Sequence, residues 1–179
     1  AHEHPTQALL DAFTIRKQKK NLDGLKIVIV GDILHSRVAR SNIFLLNKLG
    51  AEVVCAGPPA LLPEEFREFG IALDYNLDRA IRGADVIMML RLQLERQQKN
   101  LFPSLREYRE IYSLTQKRYR RAKRNAIIMH PGAADPGDRN AAFRFANGAR
   151  LLPARHFVFG RNGGGQGECG NCSSGPGRR

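Results

Sequence analysis

The sequence predicts an α/β fold, in which a mainly parallel sheet carries helices on both faces to make three layers. Three observations predict it. Short, nearly continuous apolar runs rich in β-branched residues recur along the chain, as strands buried on both faces do. Segments of helical periodicity lie between them. Glycine and proline mark the junctions, and strict alternation of strand and helix implies parallel pairing with crossover helices.

Each element has its own signal. Leu9, Leu10, Asp11, Ala12 and Phe13 read as a buried helix, entered through the polar cluster His4-Pro5-Thr6-Gln7. Leu25 to Val30 (LKIVIV) is the first strand. A helical pattern runs from Ser36 to Leu49 with Val38, Ile43, Phe44, Leu45 and Leu46 as its apolar positions, and Gly50 stops it. Ala51 to Ala56 (AEVVCA) is a second strand, ended by Gly57-Pro58-Pro59. Pro63 opens a short helix to Phe69, and Leu77 to Arg82 is another. Asp85 to Leu90 (DVIMML) is a third strand, Tyr108 to Lys123 a helix, and Ala126 to Met129 (AIIM) a fourth strand.

Beyond Gly132 the periodicity fails. The stretch RNGGGQGECGNCSSGPGRR is of low complexity, and disorder is expected over Arg161 to Arg179.

Composition narrows the function classes. A chain of 179 residues can build one core, or one domain and a remnant of another. A hydrophobic content of 42% fits a soluble globular protein. No apolar run approaches the ~20 residues that span a bilayer, and no leader pattern opens the chain, so the cytoplasm is the expected compartment. Three cysteines make no disulfide framework. Cys169 and Cys172 lack the second pair or histidine that a zinc site needs. The net charge of +12 suggests nucleic acid, but it is unevenly made. All eight lysines precede Gly132, whereas the residues after it hold seven arginines and ten of the 17 glycines. The basic stretch Lys117 to Arg124 (KRYRRAKR) reads most simply as the solvated face and end of a helix.

In an open parallel sheet, ligands lie beyond the carboxyl ends of the strands. The first strand leads to Gly31-Asp32, with Arg37 at the opening of the next helix. The third delivers Arg91, Leu92 and Gln93, and the fourth His130-Pro131-Gly132. Two guanidinium groups at successive strand ends suit a small dicarboxylate or a phosphate, because each holds an oxyanion bidentately. Taken singly, Arg37 could be a solvated helix residue and Arg91 a partner for Glu95, and a His-Pro turn after a strand is common. The glycine-rich phosphate loops of nucleotide sites are absent: Gly31-Asp32 has no Gly-x-Gly-x-x-Gly spacing, and no Gly-Lys-Ser/Thr follows a strand.

The segments HPTQALLDAFTI, VGDILHSRVARSN, MMLRLQLER and MHPG, in this order, closely resemble catalytic chains of the aspartate carbamoyltransferase family. The likeness runs from His2 to Gly132, and Leu-Arg-x-Gln-x-Glu-Arg is its most discriminating motif. The Ser-Met-Gly and His-Cys-Leu-Pro motifs of the ornithine enzymes do not occur.

The resemblance implies a three-layer, Rossmann-like aspartate-binding domain over residues 25–132, behind an interdomain helix at 1–24. It implies transfer of the carbamoyl group of carbamoyl phosphate to the amino group of L-aspartate, in a homotrimer and without a cofactor. By the same resemblance His4 hydrogen-bonds the carbamoyl oxygen, an oxyanion-type role, and Gln7 contacts the carbamoyl group beside it. Arg37 and Arg91, assisted by Gln93, hold the aspartate carboxylates, and Pro131 and Gly132 face the reacting amine through their carbonyls.

The family's carbamoyl-phosphate domain, with its Ser-Thr-Arg-Thr loop, is missing from the sequence, so a fragment inactive alone is expected. After Gly132 the family pattern is replaced by AADPGDRN. Shifting a back-translation of that stretch by one base restores Pro-Pro-Thr-Arg-Gly-Ile-Glu, the family's pattern. Residues 133–179 are therefore expected to be out-of-frame translation. The competing readings are a dicarboxylate-binding module without catalysis and, behind it, a basic nucleic-acid binder with salt-dependent affinity.

Overall fold

The structure is a computed structural model that describes residues 3–90 and 105–130. Helix α1 spans Pro5–Lys19, followed by β1 (Lys26–Val30), α2 (Arg37–Lys48) and β2 (Glu52–Ala56). Then come β3 (Ala72–Asp74), α3 (Leu77–Ala80), β4 (Val86–Met89), α4 (Leu105–Tyr112), α5 (Gln116–Tyr119) and β5 (Ile127–Met129). The five strands form one sheet in the order β3-β2-β1-β4-β5, and every pair is parallel.

The sheet is buried on both faces because successive side chains of a strand point to opposite sides. Ile27 and Ile29 of β1 join Val53, Cys55, Val86 and Met88 in a core closed by α1 and α2. Val28 and Val30, with Val54, Ile87 and Met89, face α3, α4 and α5. All four of these β1 residues are fully buried, which explains the unbroken apolar run. Burial also pushes the Cys55 thiol well above its usual pKa, since a thiolate there would be desolvated.

Four expected strands are in place, and the sheet has a fifth. Strand β3 pairs with β2 from Val54↔Ala72 to Ala56↔Asp74. It is three residues long at the sheet edge, too short and too poor in β-branched residues to announce itself. The turn between β2 and β3 adds a 3₁₀ segment at Pro59–Leu61, and the helix expected from Pro63 is a 3₁₀ helix over Glu64–Phe69.

Two expectations are corrected. The helix expected from Tyr108 to Lys123 is two helices, α4 and α5. The Thr115 hydroxyl accepts from Arg118 N–H (3.3 Å) and starts a new helix, while Arg118 Nη1 donates to the carbonyls of Glu110 (3.1 Å) and Ser113 (2.8 Å). A side-chain cap and a capped exit at one place end the first helix. In α1, Leu9, Leu10 and Phe13 were expected to be buried, yet they are 60%, 43% and 64% exposed. The buried face consists of Ala8, Asp11, Ala12 and Ile15, and its two alanines allow α1 to lie close on α2.

The basic stretch is a solvated surface, as expected, and is partly neutralised. Arg118 and Arg121 approach Asp78 (3.4 and 3.5 Å), and Lys123 pairs with the buried Asp85 (2.8 Å). The expectation for Arg161 to Arg179 concerns residues outside the described ones.

Truncating Ile29→Ala in the fully buried β1 should lower stability by about 2–5 kcal/mol in urea unfolding of the whole chain. A loss under about 1 kcal/mol would contradict this packing. Cys55 should resist a thiol reagent until denaturant is added, as read by mapping the labelled peptide.

Candidate functional site

The strand order places the site. Crossovers leave β1 and β4 toward opposite halves of the sheet, so a crevice opens at the carboxyl ends of these neighbours. Gly31 sits at its floor with φ of 131°, a backbone region open chiefly to glycine. A Cβ on it would lie 3.1 Å from Leu90 Cβ and 3.2 Å from the Leu90 carbonyl. A side chain here would crowd Leu90, so glycine lets the two strand ends pack closely.

The next residues aim Arg37. Asp32 is completely buried and accepts hydrogen bonds from His35 N–H (3.1 Å) and the His35 ring Nδ1 (2.9 Å), which folds the loop back on itself. Ser36 caps α2 by accepting from Ala39 N–H (3.1 Å). Arg37 is therefore the first residue of α2, half-buried, and its guanidinium makes no hydrogen bond or ion pair among the described residues. A cation beside the positive end of a 12-residue helix favours an anionic ligand. Tyr108 packs beneath this loop. Burial raises its phenol pKa, and the nearby Asp32 charge raises it further, so it stays a neutral hydroxyl.

His4 and Gln7 occupy the entrance of α1. His4 is the N-cap: its Nδ1 accepts from Gln7 N–H (3.2 Å) and lies 3.2 Å from the Thr6 hydroxyl. A backbone N–H can only donate, so the neutral ring must carry its proton on Nε2. The cap thereby makes His4 a donor through Nε2. The His4 backbone N–H donates to Ser41 Oγ (2.8 Å), and Ser41 in turn donates to Glu3 Oε2 (2.5 Å). Ser41 lies one turn after Arg37 on the same face of α2. His4 and Arg37 are thus brought to one end of the α1–α2 pair, at the carboxyl end of the sheet.

Known proteins share this fold. A family profile described as Aspartate/ornithine carbamoyltransferase, Asp/Orn binding domain, matches residues 23–138. The chain belongs to this carbamoyltransferase family. It is 55% identical over 136 residues to the aspartate carbamoyltransferase catalytic subunit of Desulfitobacterium hafniense, and 57% identical over 136 residues to that of Desulforamulus reducens. Each match covers 76% of this chain and 44% of the relative, so the chain spans less than half the length of these relatives. Among solved structures, an aspartate transcarbamoylase from Trypanosoma cruzi in complex with aspartate and phosphate aligns with a TM-score of 0.59 at 29% identity. That alignment covers 79% of this chain and 45% of the other. Ornithine carbamoyltransferase from Pyrococcus furiosus aligns with a TM-score of 0.62 at 30% identity, over 79% of this chain and 47% of that one.

Of the residues that the family resemblance singles out, His4, Gln7 and Arg37 lie within the described fold. Arg91, Gln93, Pro131 and Gly132 lie outside the described residues. Leu90 and His130, each directly before one of these segments, stand at the ends of β4 and β5, the latter half-buried. Sequence reasoning did not single out Asp32 and His35 as a pair, nor Asp11. Their i,i+3 spacing and lone acidic position are common in sequences, and only burial distinguishes them. Among the described residues, no group of three or more His, Cys, Asp or Glu could hold a metal, and no helix is long and apolar enough to cross a membrane.

The capping role makes His4 testable. Nitrogen-15 NMR in alkaline buffer should find His4 in the Nε2–H tautomer, and a ring protonated on Nδ1 would contradict the geometry. His4→Ala should cost about 1 kcal/mol of stability, and His4→Asn, which restores a capping oxygen, less.

Proposed function

We propose that this chain supplies the amino-acid-binding half of an aspartate carbamoyltransferase, joining carbamoyl phosphate and L-aspartate to give N-carbamoyl-L-aspartate and phosphate. The observation that carries the proposal is the union at one sheet end of an Nε2–H donor, His4, and a guanidinium without a partner among the described residues, Arg37. The relatives at 55–57% identity, named as aspartate carbamoyltransferase catalytic subunits, support the choice of reaction.

The chemistry follows from the groups. The amine of aspartate attacks the carbamoyl carbon, the carbon–oxygen bond to phosphate breaks, and the departing phosphate takes up the proton that the amine gives up. Negative charge grows on the carbamoyl oxygen as the carbon becomes tetrahedral. His4 Nε2–H donates to that oxygen, an interaction that strengthens in the transition state and therefore raises the rate. Gln7 offers its amide to the carbamoyl –NH₂ alongside. Arg37 and Arg91 grip the two carboxylates of aspartate, a pairing that an amine-bearing side chain such as ornithine's cannot make. Gln93 assists them, and the Pro131 and Gly132 carbonyls accept from the attacking amine. The phosphate falls to groups outside these 179 residues, supplied in the complete assembly, for which we propose a homotrimer in the cytoplasm.

The division of the chain belongs to the same proposal: an interdomain helix at 1–24, the aspartate-binding domain at 25–132, and an out-of-frame segment at 133–179. The family match over residues 23–138 supports the middle portion. Sequencing the coding DNA tests the last, since a Pro-x-x-Arg-Gly-x-Glu frame should be found there.

The 179-residue chain alone should form no detectable N-carbamoyl-L-aspartate. Held together, the two substrates gain proximity worth roughly 7–11 kcal/mol of the barrier, and that is forfeited when one of them has no cradle. The D. hafniense catalytic subunit with its matching segment replaced by residues 3–132 should form the product. In it, Arg37→Ala or Arg91→Lys should raise KM for aspartate ~10- to 100-fold, the equivalent of one charge-assisted hydrogen-bond pair. An inactive hybrid refutes the proposal, and binding of L-aspartate without turnover would favour a dicarboxylate-binding module.

A further inference from the structure

Asp11 has no role in the reaction as described, yet it is the most deeply buried charged residue of α1, at 2% exposure. Two amides are among the partners of its carboxylate. Oδ1 accepts from Gln7 Nε2 (3.0 Å), one turn earlier on the same helix, and Oδ2 accepts from Asn42 Nδ2 (2.8 Å) on α2. Asn42 is fully buried and also donates to the Val38 carbonyl (3.1 Å). Its own Oδ1 has no hydrogen-bond partner among the described residues. A buried polar junction with an unsatisfied oxygen is a poor way to hold two helices together, since an apolar pair of similar volume would serve at least as well. Stability alone does not account for it.

Orientation does. A carboxylate accepts and cannot donate, so both amides must turn their –NH₂ groups toward Asp11. For Gln7 this turns the amide oxygen away from Asp11. A carbamoyl group presents one acceptor, its oxygen, and a donor –NH₂. His4 Nε2–H and an outward Gln7 oxygen match that pair in polarity, whereas a reversed Gln7 amide would set donor against donor. The Asn42 bond, together with His4 N–H to Ser41, fixes the register of α1 on α2. That register sets the distance between the carbamoyl-side groups and Arg37.

The geometry points to Asp11 as a positioning residue for carbamoyl transfer: it fixes the donor–acceptor polarity of Gln7 and, through Asn42, the placement of Gln7 and His4 relative to Arg37. This rests on the carbamoyltransferase reading, which it deepens.

The test uses the active hybrid subunit described above. Asp11→Leu removes both acceptors at similar volume, and Asp11→Asn keeps one. Asp11→Leu should lower kcat/KM for carbamoyl phosphate on the order of 10²-fold while KM for aspartate changes less than about twofold, as expected when a reacting group is misplaced by about 1 Å. Asp11→Asn should fall between Asp11→Leu and the parent, and it carries the test if Asp11→Leu does not fold. Unchanged kinetics per folded molecule, with only thermal stability lowered, would make Asp11 a structural tie and overturn the inference while the carbamoyltransferase reading stands. A parent hybrid that forms no product would overturn both.

Discussion

Strand β1 has a hydrogen-bonded neighbour on each edge and helices over both faces, and its burial constrains the rest of the molecule. Because the chain leaves β1 for α2 on one face and β4 runs beside it with its own helices on the other, the two strand ends cannot be bridged by a short turn. The space between them is where backbone groups and charged side chains can meet a ligand without disturbing the core. Gly31, pressed against Leu90, lets the strands come together at the base of that space.

The loop after β1 and the start of α1 solve the same problem by different means. Asp32, His35 and Ser36 tie the loop to itself, so that Arg37 begins α2 in a set position. At α1, the His4 ring replaces the usual Ser or Asp cap, and the hydrogen bond that starts the helix also decides which ring nitrogen is protonated. Local folding and chemical readiness are thus one event at both places. The α1–α2 contact then joins them through Ser41 and Asn42.

Much of this fold could be read in the residues, and the failures have physical causes. β1, β2, β4 and β5 declared themselves because a strand buried on both faces must be apolar throughout. β3 did not, being a three-residue edge strand. The break between α4 and α5 lay hidden in a hydrophilic stretch, where a single Thr cap outweighs periodicity. In α1, apolar character pointed to Leu9 and Phe13, but close approach of two helices selects small residues, so Ala8 and Ala12 face inward instead. Arg37 was legible as a charge placed just past a buried strand. Asp11 and Asn42 were not, because a buried carboxylate is recognised by its partners, and one of these lies on another helix. For Arg91, Gln93, Pro131 and Gly132, the sequence motif alone carries the assignment.

The central claim is that the entrance of α1 and the β1–α2 loop form one site for a carbamoylated dicarboxylate. Its most direct test is an NMR titration of the isotope-labelled 179-residue chain with N-carbamoyl-L-aspartate, using the D-enantiomer as control. The account predicts saturable, enantiomer-selective shifts at His4, Gln7 and Arg37, with the basic surface from Lys117 to Arg124 unaffected. Shifts confined to that basic surface, or equal for both enantiomers, would contradict it.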